Sequence, residues 1–106
     1  MPTYLWQASY TAEGTKGVLK EGGTKRRALV EQLTKQAGGK LLAFYYAFGD
    51  ADVIGISEYP DTASALALSM TVNASGAVQL KSTLLISPEE VDAATKKQIA
   101  YRPPGT

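Results

Sequence analysis

Two aspartates one residue apart, Asp50 and Asp52, are the first residues of this sequence whose spacing suggests chemistry. A D-x-D pair can hold Mg²⁺ or Ca²⁺ through its hard carboxylate oxygens. The pair follows Gly49, however, in a short link between two strand-like runs, where aspartates commonly bond local backbone amides. We therefore favour a hairpin corner over a metal site and expect no bound metal.

A second candidate is the segment GGTKRR, residues 22–27, at the start of a predicted helix. Lys25, Arg26 and Arg27 lie in the first turn, where the helix macrodipole disfavours cations. Free amides and three cations would suit an anion such as a phosphate or a carboxylate. The spacing is not that of a P-loop. A solvated basic patch is the alternative that we favour, and it leaves the unfavourable placement of the charges unexplained.

A third candidate is a group of aromatic and polar residues in the predicted strands. An apolar cavity with a few convergent polar groups is the usual form of a small-molecule site. Its candidate members are Tyr4, Trp6, Gln7, Tyr45, Tyr46, Gln79 and Lys81. The alternative, which we favour, is that the rings form the core and a dimer interface.

The residue types that are absent narrow the chemistry further. The sequence has no cysteine and no histidine, which excludes structural zinc sites, thiolate nucleophiles, Ser-His-Asp triads and histidine-ligated haem. We expect no cofactor. An enzyme built from this chain would rely on carboxylates, tyrosines, lysines, backbone amides or a borrowed cofactor.

Charge and hydropathy bear on partners and location. The net charge is +1, from 11 basic and 10 acidic residues, so we expect neither nucleic acid nor an anionic membrane as a partner. The apolar stretches are shorter than the roughly 20 residues of a membrane helix. Without cysteines or a recognisable secretion signal, the expected location is cytoplasmic.

Hydrophobic periodicity places these candidates on secondary-structure elements. Alternation predicts a first strand, and glycines predict a short or irregular helix before a firmer one that begins at a Thr24 cap and ends at Gly38-Gly39. Leu29, Leu33 and Ala37 should form its buried face, with Val30 beside them. In order, the predicted ranges of this half are strand 3–10, helix 11–21, helix 24–37, strand 40–48 and strand 52–59.

The second half carries clearer boundary signals. Asp61 should cap a helix over residues 62–75 that is apolar nearly all round, which implies packing on more than one side. A strand follows over residues 77–86. Ser87, Pro88 and Glu90 form a capping box before a terminal helix that continues to Tyr101. For the extended tail 102–106, contact with a partner subunit and the lack of any fixed contact both stay open.

The predicted order, β-α-β-β-α-β plus a terminal helix, is that of a single α+β domain over residues 1–106 with a ferredoxin-like, four-stranded antiparallel sheet. Helices would cover one face of this sheet. The strands are apolar on both faces, and monomers seldom expose a large apolar patch. We therefore expect two sheets to pack together in a homodimer or a higher oligomer.

Four segments, MPTYLWQASYTAEG, GGKLLAFYYAFGDADV, SEYPD and YRPPG, resemble the GYD-domain family of small bacterial proteins. The resemblance implies a dimeric α/β-barrel. The glycine and the aspartate of the family motif match Gly49 and Asp52, which makes Asp52 the more important aspartate of its pair. The motif tyrosine is replaced by Ala51. If that tyrosine is catalytic in relatives, this chain lacks the activity.

Two functions remain open at this stage. The first is a small-molecule binding or sensing protein without catalysis. The second is a cofactor-independent monooxygenase or isomerase that acts on a small acidic or phenolic compound. The enzyme would need a cavity in which Trp6, a tyrosine and either Asp52 or Lys81 converge on a substrate. A solidly packed interior, filled by Phe44, Tyr46 and Met70, would instead indicate a purely structural role.

Overall fold

The computed structural model describes all residues from 1 to 106. Its elements are β1 (Thr3–Tyr10), α1 (Ala12–Glu21), α2 (Gly23–Gln36), β2 (Lys40–Tyr46), β3 (Val53–Glu58), α3 (Thr62–Ala74), β4 (Val78–Leu85) and α4 (Pro88–Thr95). The four strands form one antiparallel sheet in the order β2-β3-β1-β4. This order confirms the predicted ferredoxin-like α+β fold.

The first crossover contains two helices that share one glycine. Thr11 caps α1 by accepting a hydrogen bond from the amide of Gly14. Gly22 then ends α1 and stands at the N-cap of α2 with φ of 85°, a conformation that favours glycine. The predicted cap at Thr24 is therefore wrong, because the sharp turn between the helices requires Gly22 and α2 begins immediately after it.

The buried face of α2 is also rotated from the predicted one. Val30, Leu33 and Thr34 face the sheet, and Thr34 is fully buried with its hydroxyl donating to the carbonyl of Val30 at 2.9 Å. Leu29 is 39% exposed, so its assignment to the buried face was wrong. The four-residue spacing of Leu29 and Leu33 fits one face of a helix. In the structure the face that contacts the sheet contains Val30 in place of Leu29.

The two later caps are confirmed. Asp61 accepts the amide of Ser64 at 2.7 Å, and Ser87 accepts the amide of Glu90 at 3.2 Å. The terminal helix α4 ends at Thr95, however, and not at Tyr101. No other element of the chain packs extensively on this helix, so nothing stabilises further turns.

Helices cover one face of the sheet, with α2 over β2 and α3 over β4. The core beneath them is formed by Trp6, Ala8, Val53 and Val78. The Trp6 ring lies directly over Gly55 of β3, where an added Cβ would overlap the indole. A glycine is required at this position because the ring occupies the space of a side chain.

The other face of the sheet is not covered by any element. Leu5, Ile54 and Ile56 are half-buried there by their neighbours, and Tyr45 is exposed. We call this surface the open face. The helix α3 likewise packs on one side within the single chain, and its Met70 is exposed. The alternative of an interior filled by Met70 is therefore wrong.

Candidate functional site

A cavity of about 60 Å³ lies between the helix-covered face of the sheet and the two helices α2 and α3. We call it the sheet–helix cavity. Side chains of β1 form its floor, and Val30 of α2 and Leu68 of α3 belong to its walls. It exists because α2 and α3 pack over opposite edges of the sheet and make little contact with each other.

Trp6 is the central residue of the cavity floor. Its indole N–H donates a hydrogen bond of 2.9 Å to the hydroxyl of Ser57, which is fully buried. The indole also meets Phe44 edge to face, with ring centroids 5.9 Å apart. With its polar atom satisfied, the indole presents an apolar surface to the cavity.

Two tyrosines close the end of the cavity near the start of β1. Tyr4 and Tyr59 meet edge to face with centroids 6.0 Å apart. Burial raises the pKa of Tyr59 above its usual value, and the hydroxyls of Ser57 and Thr34 offset part of that rise. The phenol of Tyr59 is therefore neutral at physiological pH and acts as a hydrogen-bonding group of the wall.

Tyr10, Tyr46 and Arg26 lie together near the end of β1. The Tyr46 hydroxyl donates to the carbonyl of Gly23 at 3.2 Å, and its ring packs on Phe44 with centroids 5.3 Å apart. Burial and then Tyr10 raise the pKa of Tyr46, whereas Arg26 acts in the opposite direction. Since its pKa is raised, the Tyr46 phenol is a hydrogen-bond donor at neutral pH and not a base.

Arg26 is the one charged residue of the cavity lining. It is half-buried in the first turn of α2, and no hydrogen bond or ion pair of the structure involves its guanidinium. Arg26 also lines a neighbouring pocket together with Glu13 and Glu21, and neither carboxylate pairs with it. The guanidinium is thus available to an anion at the rim of an apolar cavity.

The predicted small-molecule residues divide between the two faces of the sheet. Tyr4 and Trp6 line the cavity. Gln7 lies on the open face, where it pairs with Lys81 of β4, and Tyr45 and Gln79 share that face. Residues one apart on a strand point in opposite directions, so a set chosen by residue type alone could not form one site.

Asp52 has a structural partner. Its carboxylate accepts the amide of Tyr10 at 2.8 Å, and its own amide donates to Ala8 at 2.9 Å. These bonds hold the β2–β3 hairpin against the end of β1. Asp50 is exposed, and Ala51 between them is buried. These bonds give a physical basis for interpreting Asp52 as a structural residue of the hairpin corner.

The groups required by the enzyme hypothesis do not converge. Trp6 lies in the cavity, Asp52 is bonded to the backbone of β1, and Lys81 is exposed on the opposite face of the sheet. Among the predicted anion-binding residues, Lys25 and Arg27 are exposed while Arg26 reaches the cavity.

Sequence reasoning missed three residues of the site, namely Tyr10, Ser57 and Tyr59. Ser57 and Tyr59 could have been found from strand periodicity, because they lie two and four residues after Gly55 and so share the face of Val53. The structure shows this alternation, with Val53, Ser57 and Tyr59 all buried. Tyr10 shares the parity of Trp6 in β1 in the same way.

Two further structural facts concern possible partners. None of the helices has the length and the apolar character needed to cross a bilayer. No three carboxylate side chains lie close enough together to hold a metal ion.

Comparison with known proteins gives a family but no annotated relative. No curated protein and no solved structure matches the sequence. The sequence model of the GYD domain matches residues 4–95, which include the whole sheet, the cavity and α4. The chain therefore belongs to the GYD-domain family.

Proposed function

We propose that this protein is a homo-oligomeric small-molecule binding or sensing protein whose ligand occupies the sheet–helix cavity. The ligand is small and mostly apolar, and it carries one acidic group. The main observation in support is that the guanidinium of Arg26 is half-buried and unpaired at a cavity whose other lining side chains are mainly apolar. Such a cavity with a few polar groups is the usual form of a ligand site.

The position of Arg26 is costly without an anion. A cation in the first turn of a helix opposes the macrodipole, and partial burial removes some of its hydration. A carboxylate or phenolate at the rim would accept hydrogen bonds from the guanidinium of Arg26. The anion would also interact favourably with the helix N-terminus.

The size of the cavity limits the ligand. An apolar cavity that holds benzene has a volume of about 150 Å³, and the enclosed volume here is about 60 Å³. A ligand of a few heavy atoms fits inside, or one end of a larger compound whose remainder lies in the mouth between α2 and α3.

Binding fits this site better than catalysis. The pKa of Tyr46 and that of Tyr59 are both raised, so neither phenol is a base at neutral pH. No carboxylate lines the cavity. The arrangement can hold and orient an anion, whereas proton abstraction would require a group that the cavity lacks.

The oligomer is supported by the open face and by the total surface. A compact monomer of 11.3 kDa exposes about 5,700 Å², and this chain exposes 7743 Å². Only nine residues are buried, fewer than a stable isolated domain of this length would bury. Packing of two open faces, which makes the dimeric α/β-barrel, would cover Leu5, Ile54 and Ile56. The absence of cysteine fits a cytoplasmic location.

The test uses Trp6, the single tryptophan of the chain, as a built-in fluorescent reporter on the cavity floor. Acetate and butyrate, which have few heavy atoms, are titrated against the protein, with acetamide and butyramide as uncharged counterparts. We expect saturable changes in Trp6 fluorescence with the acids and much weaker ones with the amides. Arg26→Gln should weaken binding of the acids at least tenfold and leave that of the amides unchanged.

Lys25→Gln and Arg27→Gln are the matched controls, because each removes one charge from the same helical turn at an exposed position. They should bind the acids like the parent protein. Equal losses in all three variants would mean that the general charge of the turn is sensed, and would contradict a site at Arg26. Native mass spectrometry of protein purified gently from cells would then identify any retained ligand.

A further inference from the structure

The C-terminal segment, residues 88–106, stands apart from the rest of the molecule. Every residue in it is exposed, including Val91 at 51%, Ile99 at 85% and Tyr101 at 76%. We call this segment the arm. The radius of gyration is 17.3 Å, whereas a compact domain of this length has about 13 Å. The longest dimension, 58 Å against 32 and 23 Å, reflects the same extension.

The arm cannot be stable as it stands in a single chain. An isolated helix of fewer than about 12 residues is marginal in water and gains its stability from packing, and α4 has eight residues. No element of its own chain packs extensively on it. Ser87 fixes the start of the helix by accepting the amide of Glu90, so we infer that the surface that stabilises α4 belongs to another molecule.

The outer side of α3 is another apolar surface, besides that of the arm, on which no element of the chain packs. The thirteen residues from Thr62 to Ala74 include no charged side chain. Leu66 and Met70 lie four residues apart on the outer side and are 57% and 63% exposed. A helix that faces water normally carries charged residues on its outer side. The small residues Ala63 and Ala67 beside them would allow close approach of another segment.

We propose that the arm of one protomer packs on the outer side of α3 in a second copy of this chain. Two surfaces that are each unsuited to water would then cover one another. Val91, Ile99 and Tyr101 would bury against Leu66 and Met70. The open face is not the partner surface, because it is needed for the sheet contact of the barrel.

Reach and area agree with this arrangement. The helix α4 spans about 12 Å and the eleven residues after it up to about 36 Å when extended, which exceeds the roughly 20 Å length of α3. The surface in excess of a compact monomer is about 2,000 Å² for each chain. Stable homodimer interfaces bury 2,000 Å² or more in total, so the open face and the arm can both be accommodated.

The proposed exchange, in which the arm of each protomer packs on α3 of the other, is tested with the full-length double variant Ile99→Asp/Tyr101→Asp. Both side chains are exposed in the single chain, so the substitutions leave the fold of the protomer intact, as circular dichroism will show. Sedimentation velocity over a range of concentrations should show an association at least tenfold weaker than in the parent protein. Gln98→Asp, a change at the exposed position directly before Ile99, should associate like the parent.

Cross-linking then identifies the surface. Because the chain has no cysteine, Ile99→Cys and Met70→Cys each introduce a single thiol. A mixture of the two variants, treated with a short bismaleimide, should give a covalent product that contains one copy of each. Unchanged association of the aspartate double variant would overturn the exchange. The variant that carries both Ile99→Cys and Met70→Cys in one chain is treated in the same way. Cross-links found only within single chains of this variant would overturn the exchange as well, since the arm would then fold back on its own α3.

Discussion

The two faces of the sheet use the same strands and differ in almost everything else. On the covered face, Trp6 and Val53 are buried under α2 and α3 and surround a cavity. On the open face, Gln7 and Ile54 are their immediate neighbours along the chain, and neither is buried. The covered face is therefore a core with a small void, whereas the open face combines half-buried apolar residues such as Ile54 with exposed polar ones such as Gln7 and Lys81.

The comparison shows how a strand can carry two separate roles. A shift of one residue moves a side chain from the sheet–helix cavity to the open face. Trp6 and Gln7 are consequently expected to affect different properties of the protein. Substitutions on the covered face should change the free energy of unfolding of the protomer, and substitutions on the open face should change association.

The largest effect is expected for Trp6→Ala. Removing a buried aromatic ring costs about 3–5 kcal/mol of unfolding free energy, and the buried Ser57 hydroxyl would also lose its donor. Urea unfolding followed by circular dichroism measures the change. Gln7→Ala on the other face is the control and should lie within about 0.5 kcal/mol of the parent. Similar losses for the two would erase the distinction between the faces.

A second, smaller effect is expected for Ile56→Lys on the open face. A charge at this half-buried position would be unpaired between two packed sheets, and the dimer should dissociate at least tenfold more readily, which corresponds to about 1.4 kcal/mol. Light scattering at several concentrations reports the mass. Gln36→Lys adds the same charge on an exposed helical position and should leave the mass unchanged. A dimer that tolerates Ile56→Lys would require an interface elsewhere.

The smallest effect concerns alkaline pH and separates a buried phenol of the covered face from an exposed phenol of the arm. The pKa of Tyr59 in the folded protein lies above the ordinary 10.0. Between these two values the unfolded chain releases a proton that the folded protein keeps, so the free energy of unfolding falls as pH rises above about 10. Unfolding in urea at pH 9 and pH 11 should show this fall. It should be reduced in Tyr59→Phe and retained in Tyr101→Phe, where the phenol is exposed.

Much of the fold could be predicted from local patterns. Strand alternation from Thr3 to Tyr10, the cap at Asp61 and the capping box at Ser87 each depend on a few neighbouring residues, and the structure confirms all three. The errors occur where a contact between residues distant in the sequence determines the buried face or the length of a helix. Leu29 was assigned to the core of α2 although the sheet selects Val30, and α4 was extended although it lacks a packing surface.

The site was less predictable than the fold. The sequence singled out Trp6, Tyr4 and Arg26, but it grouped the first two with Gln7 and Lys81, which lie on the other face. Residue type shows what a side chain can do, while strand parity shows which side chains can act together. Applying parity to β1 would have separated Tyr4 and Trp6 from Gln7, whereas the position of Lys81 beside Gln7 depends on the register between β1 and β4.

The sequence by itself determined the order of elements, the helix caps at Asp61 and Ser87 and the absence of thiol and imidazole chemistry, because these depend on composition and on short-range bonds. The tertiary structure decided which face of the sheet the helices cover and that Arg26 reaches a cavity. It also decided that the arm is left without a surface in its own chain. Leu5 lies on one face of β1 and Trp6 on the other, so only the packing of α2 and α3 over the sheet could decide on which face the cavity forms.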